Sequence, residues 1–117
     1  MIHPNAVIHP RAELDSSVEI GPWCTIVPQV KIAKNVKLHS NVVVDGWTTI
    51  DEGTEVYPFS LLGVTPQDLK YKGENTQLIV GKNNVIRELV TIHRGTAHGG
   101  GVTRIGSSTL ILSLIHI

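Results

Sequence analysis

The sequence predicts an all-β chain wound as a parallel β-helix of hexapeptide repeats, with roughly five coils and two loop excursions. Three observations carry this expectation. Aliphatic residues fall at every sixth position from Ile2 to Leu62 without a gap: Ile2, Ile8, Leu14, Ile20, Ile26, Ile32, Leu38, Val44, Ile50, Val56 and Leu62. The residue two places before each is small or β-branched, from Ala6 and Ala12 through Val18, Cys24, Val30, Val36 and Val42 to Thr48, Thr54 and Ser60. Val and Ile dominate the apolar residues while aromatic residues make up 4%, so the core is built from β-branched aliphatics, which suit strands.

A helix brings apolar residues to one face at spacings of three and four, and a half-buried strand at a spacing of two. A spacing of six with its partner two places earlier fits short flat faces separated by corners. Three hexads close one triangular turn, and successive turns stack at roughly 4.8 Å, the distance between paired strands. A β-sandwich with regular turns is the competing arrangement, but sandwich strands do not hold one residue register from Ile2 to Leu62.

The register is broken twice and resumes twice, at Val80, Ile86 and Ile92 and again at Ile105, Ile111 and Ile117. Loops are expected near residues 63–78 and 93–104. In the first, an uninterrupted hexad count would turn Asp68 and Glu74 inward, and burying unpaired carboxylates is costly. In the second, the step from Ile92 to Ile105 is not a multiple of six, and it crosses a run containing Gly99, Gly100 and Gly101. Inserted loops in solenoids cluster on a binding face. The whole of 1–117 reads as one β-helix domain.

Charge and composition exclude several functions. Ten Lys and Arg balance ten Asp and Glu, which argues against a nucleic-acid or polybasic membrane surface. The single cysteine, Cys24, excludes a disulfide framework and a Cys-rich zinc site. Residues 1–10 hold no apolar secretory segment, and the apolar run 110–117 is too short to span a bilayer, so no membrane insertion is expected. That run stops while still apolar, so the chain is expected to be a fragment.

The coil pattern resembles the left-handed β-helix, and the hand comes with that resemblance. The loops resemble one family more narrowly. Gln67-Asp68-Leu69-Lys70-Tyr71, with Gly73-Glu74, precedes Ile86-Arg87-Glu88 and Thr91-Ile92-His93-Arg94-Gly95-Thr96, followed by Gly99-Gly100-Gly101-Val102-Thr103-Arg104-Ile105-Gly106. This combination resembles the acyl-[acyl-carrier-protein]–UDP-N-acetylglucosamine O-acyltransferases, hexapeptide-repeat enzymes that open lipid A biosynthesis. The resemblance covers essentially the whole chain, as the N-terminal part of the family's β-helix. The family's C-terminal helical domain is expected to be absent.

The resemblance implies transfer of an (R)-3-hydroxyacyl group from acyl carrier protein to the 3-OH of UDP-N-acetylglucosamine, in the cytoplasm, by a homotrimer with no metal or other cofactor. A sugar hydroxyl is a weak nucleophile, so a general base is needed. The family's base is the second histidine of a His-Ile-Ala-His-Asp segment. The first histidine aligns with His116 and the base falls beyond Ile117, so no catalytic residue is expected within the chain and the fragment is expected to be inactive alone. Ser113-Leu114-Ile115 departs from the small polar residues the family shows there. The substrate-binding residues implied are Gln67, Asp68, Lys70 and His116.

Alternatives remain open: a non-catalytic β-helix that binds or assembles, a sister hexapeptide N-acyltransferase, or a γ-class carbonic anhydrase. His93 and His98 have the spacing of two zinc ligands in the last, but a third histidine is not evident, and no metal site is expected. His3, His9 and His39 each follow an inward aliphatic and are expected to face solvent. Arg87 and Glu88 are expected to form a surface ion pair.

Overall fold

The computed structural model describes residues 1–64, 77–93 and 101–112. They wind as a three-sided parallel β-helix. The first coil holds β1 (Val7–Ile8), β2 (Glu13–Leu14) and β3 (Glu19–Ile20), and the second β4 (Thr25–Ile26), β5 (Lys31–Ile32) and β6 (Lys37–Leu38). The third holds β7 (Val43–Val44), β8 (Trp47–Ile50) and β9 (Glu55–Val56). The fourth has β10 (Leu61–Val64), β11 (Gln77–Val80) and β12 (Val85–Ile86), and the fifth β13 (Thr91–His93), β14 (Val102–Ile105) and β15 (Leu110–Ile111). Every third strand stacks on the last, giving three faces: β1-β4-β7-β10-β13, β2-β5-β8-β11-β14 and β3-β6-β9-β12-β15.

The register follows the hexads. Val7 pairs with Thr25 and Thr25 with Val43, each step being one turn of three hexads. The step lengthens from β10, where Leu61 pairs with Thr91, and again differs from three hexads at β12, where Val85 pairs with Leu110. The coil thus carries two insertions. Residues 65–76 and 94–100, outside the described set, account for both. The strands claim the ends of the expected loops: Gly63 and Val64 lie in β10, Gln77 and Leu78 in β11, and Val102 to Arg104 in β14.

The core is the inside of the prism. Ile20, Ile26, Ile32, Leu38, Val44, Ile50, Val56 and Leu62 are buried, with Val18, Cys24, Val30, Val36 and Val42 from the corner positions. Full burial of each such aliphatic contributes about 1.5–3 kcal/mol. Thr48, Thr54, Ser60 and Asn84 are the buried polar residues among those described, and each is satisfied. Thr54 Oγ1 donates to the Gly81 carbonyl at 2.9 Å and Ser60 Oγ to that of Arg87 at 2.6 Å. Asn84 Nδ2 donates to the carbonyls of Gly81 and Gly106, and its Oδ1 accepts the Thr109 N–H.

The corners use one backbone device. At eight of them the third residue after the inward aliphatic has positive φ: Trp23, Asn35, Asn41, Gly53, Phe59, Asn83, Leu89 and Ser108. Such turns stack by direct bonds between coils, as where Asn83 N–H donates to the Glu52 carbonyl at 2.9 Å. The earliest corners instead close on themselves, the Ala12 N–H reaching the His9 carbonyl at 3.0 Å.

Two histidines depart from the expectation of solvent exposure. His9 is exposed, but His3 and His39 are half-buried. His39 Nε2–H donates to Glu55 Oε2 at 2.6 Å, and its ring stacks on Tyr57 with centroids 4.4 Å apart. Tyr57 belongs to the next coil, so only the stacking of coils brings the rings together. Arg87 sits above the same ring, 3.9 Å from its centroid, and also forms the expected ion pair with Glu88 at 3.0 Å.

Candidate functional site

Both insertions leave the coil at the same edge. Residues 65–76 connect β10 on the first face to β11 on the second, and residues 94–100 connect β13 to β14 between the same two faces. Since β13 pairs with β10 and β14 with β11, the loops emerge from consecutive coils, roughly 4.8 Å apart along the axis. This edge is the candidate functional site.

Its floor is the third coil, where the connection is shortest. Asp45 and Gly46 join β7 to β8. Asp45 Oδ1 accepts the Gly46 N–H at 2.8 Å, and the Asp45 carbonyl accepts the Thr48 hydroxyl at 2.6 Å. One coil up, Gly63 takes φ of 74° directly over this turn. A Cβ there would run into Thr48 Oγ1 and the Asp45 carbonyl oxygen, so glycine alone fits. The strand pairing shifts between Leu62 and Val64, a bulge that sets Val64 opposite His93 where β10 gives way to the insertion. Gly101, at φ of 76°, returns the chain to β14.

On the second-face side Trp47, Gln77 and Val102 stack in register at the loop mouths. Below them a surface groove of about 500 Å³ is lined by Arg11, Gln29, Lys31, Trp47, Thr49 and Gln77. Arg11 and Lys31 give it cationic groups, Trp47 a ring face, and the glutamines paired donors and acceptors. Asp45, Trp47 and Gln77 were not singled out by the sequence. The signal that could have found them is the hexad after Val44, where Asp45-Gly46 shortens the corner and an aromatic residue opens the next strand.

Gln67, Asp68 and Lys70 lie outside the described residues, as does His116. What the structure places is the mouth of the loop that carries the first three. His93 ends β13 at this edge and His98 lies outside the described residues. Among the described residues no group of three or more His, Cys, Asp or Glu side chains is placed to hold a metal ion.

Three parallel faces wound from hexads make the chain a parallel β-helix of the hexapeptide-repeat class, left-handed like the solved structures on which it superposes. No protein-family model matches it. Among curated proteins it is similar to acyl-[acyl-carrier-protein]–UDP-N-acetylglucosamine O-acyltransferases. The Anaeromyxobacter protein is 53% identical over 72 residues, covering 62% of this chain and 28% of the relative. That of Myxococcus xanthus is 49% identical over the same length. Among solved structures, LpxA of Acinetobacter baumannii superposes with a TM-score of 0.91 at 50% identity, over 93% of this chain and 42% of that one. The Francisella novicida UDP-N-acetylglucosamine acyltransferase gives 0.92 at 38% identity, over 95% and 41%. Over the part it shares with them, the chain is similar to the acyl-[acyl-carrier-protein]–UDP-N-acetylglucosamine O-acyltransferases in both sequence and fold. It spans less than half the length of the relatives it matches.

Proposed function

We propose that the chain is part of an O-acyltransferase that moves an (R)-3-hydroxyacyl group from acyl carrier protein to the 3-OH of UDP-N-acetylglucosamine, the first step of lipid A biosynthesis. One observation carries the reading. The two insertions bearing the family's loop residues open at the same edge in consecutive coils, so their bases converge on one place.

The chemistry asks for such convergence. The 3-OH oxygen attacks the thioester carbonyl carbon while its proton passes to a general base. The tetrahedral oxyanion collapses, the C–S bond breaks, and the carrier thiol leaves with the proton. A loop carboxylate, Asp68, and its neighbour Gln67 suit hydrogen bonds to the hydroxyls of donor and sugar. The Lys70 ammonium suits the anionic carrier arm. The resemblance assigns His116 a substrate-binding role and assigns the base to the second histidine of the family's His-Ile-Ala-His-Asp segment. The reading includes a homotrimer working in the cytoplasm, where carrier-bound donor and nucleotide sugar meet. No helix among the described residues is long and apolar enough to cross a membrane.

The test is direct. The chain, and the chain extended by the family's His-Ile-Ala-His-Asp segment and later coils, are incubated with an (R)-3-hydroxyacyl carrier protein and UDP-N-acetylglucosamine. The extended chain is expected to form the O-ester, and the shorter one to turn over about 10²–10⁴-fold more slowly for want of the base. An amide product, or no product from the extended chain, sinks the reading.

A further inference from the structure

The groove on the second face is given no task by acyl transfer. It holds about 500 Å³, within the ~300–1,000 Å³ of small-molecule sites. Two columns of outward side chains wall it. The column beside the edge runs Arg11, Gln29, Trp47 and Gln77, one residue per coil, and the next includes Glu13 and Lys31.

These side chains are uncommitted. Among the described residues those of Arg11, Gln29, Trp47 and Gln77 make no hydrogen bond, ion pair or ring contact. Lys31 has Glu13 as its partner at 4.0 Å, an exposed pair worth little. Trp47 fills no core: Thr48 beside it is the buried residue, while Trp47 is 41% exposed. A large ring is thus held open to solvent in a column of polar groups, with two cations close by.

We infer that this groove binds a phosphorylated sugar, its pyranose ring lying on the indole of Trp47 and its phosphate between Arg11 and Lys31. The inference goes beyond acyl transfer and draws nothing from it. A pyranose has an apolar face of C–H groups, which packs on an aromatic ring, and a rim of hydroxyls that both donate and accept. The carboxamides of Gln29 and Gln77 do the same, and they lie one coil below and one coil above Trp47, roughly 4.8 Å each way. They therefore meet opposite sides of one sugar ring. Lys31 stands one coil below Trp47 in the neighbouring column, and Arg11 two coils below, roughly 10 Å away. A phosphate borne on the lower side of the sugar falls between the guanidinium fork and the ammonium. With Glu13 counted the groove keeps one net positive charge, which favours the anion over a neutral sugar. Trp47 is the single aromatic residue lining the groove, so a nucleobase would find a ring on one face alone, whereas a pyranose needs no second.

The test is titration of the Trp23→Phe chain with glucose 6-phosphate. Trp47 is then the sole tryptophan, and phenylalanine already holds the same backbone position at Phe59. The Trp47 emission is expected to change saturably at submillimolar ligand. Glucose alone and inorganic phosphate alone are each expected to bind at least about 10-fold more weakly. By calorimetry, Trp47→Ala and the pair Arg11→Ala/Lys31→Ala are each expected to lose at least about 10-fold in affinity. Those side chains lie outside the core, so the β-type circular dichroism is expected to be unchanged. Lys82→Ala, on another edge, and Asp68→Ala, in the first insertion, are expected to bind the sugar phosphate as the wild type does. An emission that does not change, inorganic phosphate or uridine monophosphate binding as tightly as the sugar phosphate, or loss of binding in the Lys82 or Asp68 variant would each overturn the inference. Ester formation by the extended chain is scored apart, so acyl transfer can fail while this site stands, and the reverse.

Discussion

Replacing Gly63 by alanine tests how the loop mouth is built. Two separate penalties are combined there: a backbone at φ of 74°, and a space already filled by Thr48 Oγ1 and the Asp45 carbonyl oxygen. The conformational part costs about 1–2 kcal/mol for any L-residue. The overlap is with a buried threonine and a backbone atom, neither of which yields easily. Moving them costs about 1–3 kcal/mol and weakens the Thr48 hydroxyl bond, worth about 0.5–1.5 kcal/mol. Gly63→Ala is therefore expected to lose about 3–5 kcal/mol, a large fraction of the stability of a domain this size. Three other glycines separate the terms. At Gly101, φ is 76° but no atom of the described residues lies where a Cβ would go, so Gly101→Ala isolates the conformational cost of about 1–2 kcal/mol. At Gly21 the φ is ordinary but a Cβ would sit 2.9 Å from the His39 carbonyl carbon and oxygen, isolating the steric cost. Gly106 has neither, and Gly106→Ala is expected within about 0.5 kcal/mol of wild type. Urea unfolding of the four variants, followed by circular dichroism, gives the order. A Gly63 variant no worse than the Gly101 variant would refute the packing argument, and a Gly106 variant as damaged as either would refute the geometry.

Three further outcomes follow from buried or bonded groups. Asn84→Ala strands the Gly106 carbonyl and the Thr109 N–H and leaves the Gly81 carbonyl to the Thr54 hydroxyl, and is expected to lower urea-derived stability by about 2–4 kcal/mol. The Asp15 carboxyl is held below its ordinary value of 3.8 chiefly by the Ser17 backbone N–H and then by the Ser17 hydroxyl. Its contribution is full above that value and is lost as pH falls through the lower folded value, so wild type and Asp15→Asn should converge in stability on acidification below about pH 4. Equal gaps at neutral and acid pH would exclude the Asp15 bonds as their source. Burial pushes the Cys24 thiol up, and its S–H donates to the His39 carbonyl at 2.9 Å. A thiol-specific disulfide reagent is expected to react only as the chain unfolds, and rapid labelling of the native protein would contradict that placement.

The sequence by itself determined the coil. Each inward aliphatic is set by its place in a hexad, a local rule, so the five coils, the three faces and the buried column could be read before any coordinates. The two breaks were readable for the same reason, since a register that slips and resumes announces an insertion. The family was carried by loop residues, and those same residues, Gln67, Asp68 and Lys70, fall outside what the structure describes. Tertiary structure alone decided what depends on one coil lying over another. His39 was expected in solvent, yet Tyr57 and Glu55 from the next coil enclose it. The narrow floor at Asp45 and Gly46, the demand for glycine at Gly63 and the ring of Trp47 beside Gln77 arise only on stacking. The left-handed corners at Trp23, Phe59 and Leu89 contradict residue preference and could not be read locally, because the bonds between stacked turns, not the side chains, choose that conformation.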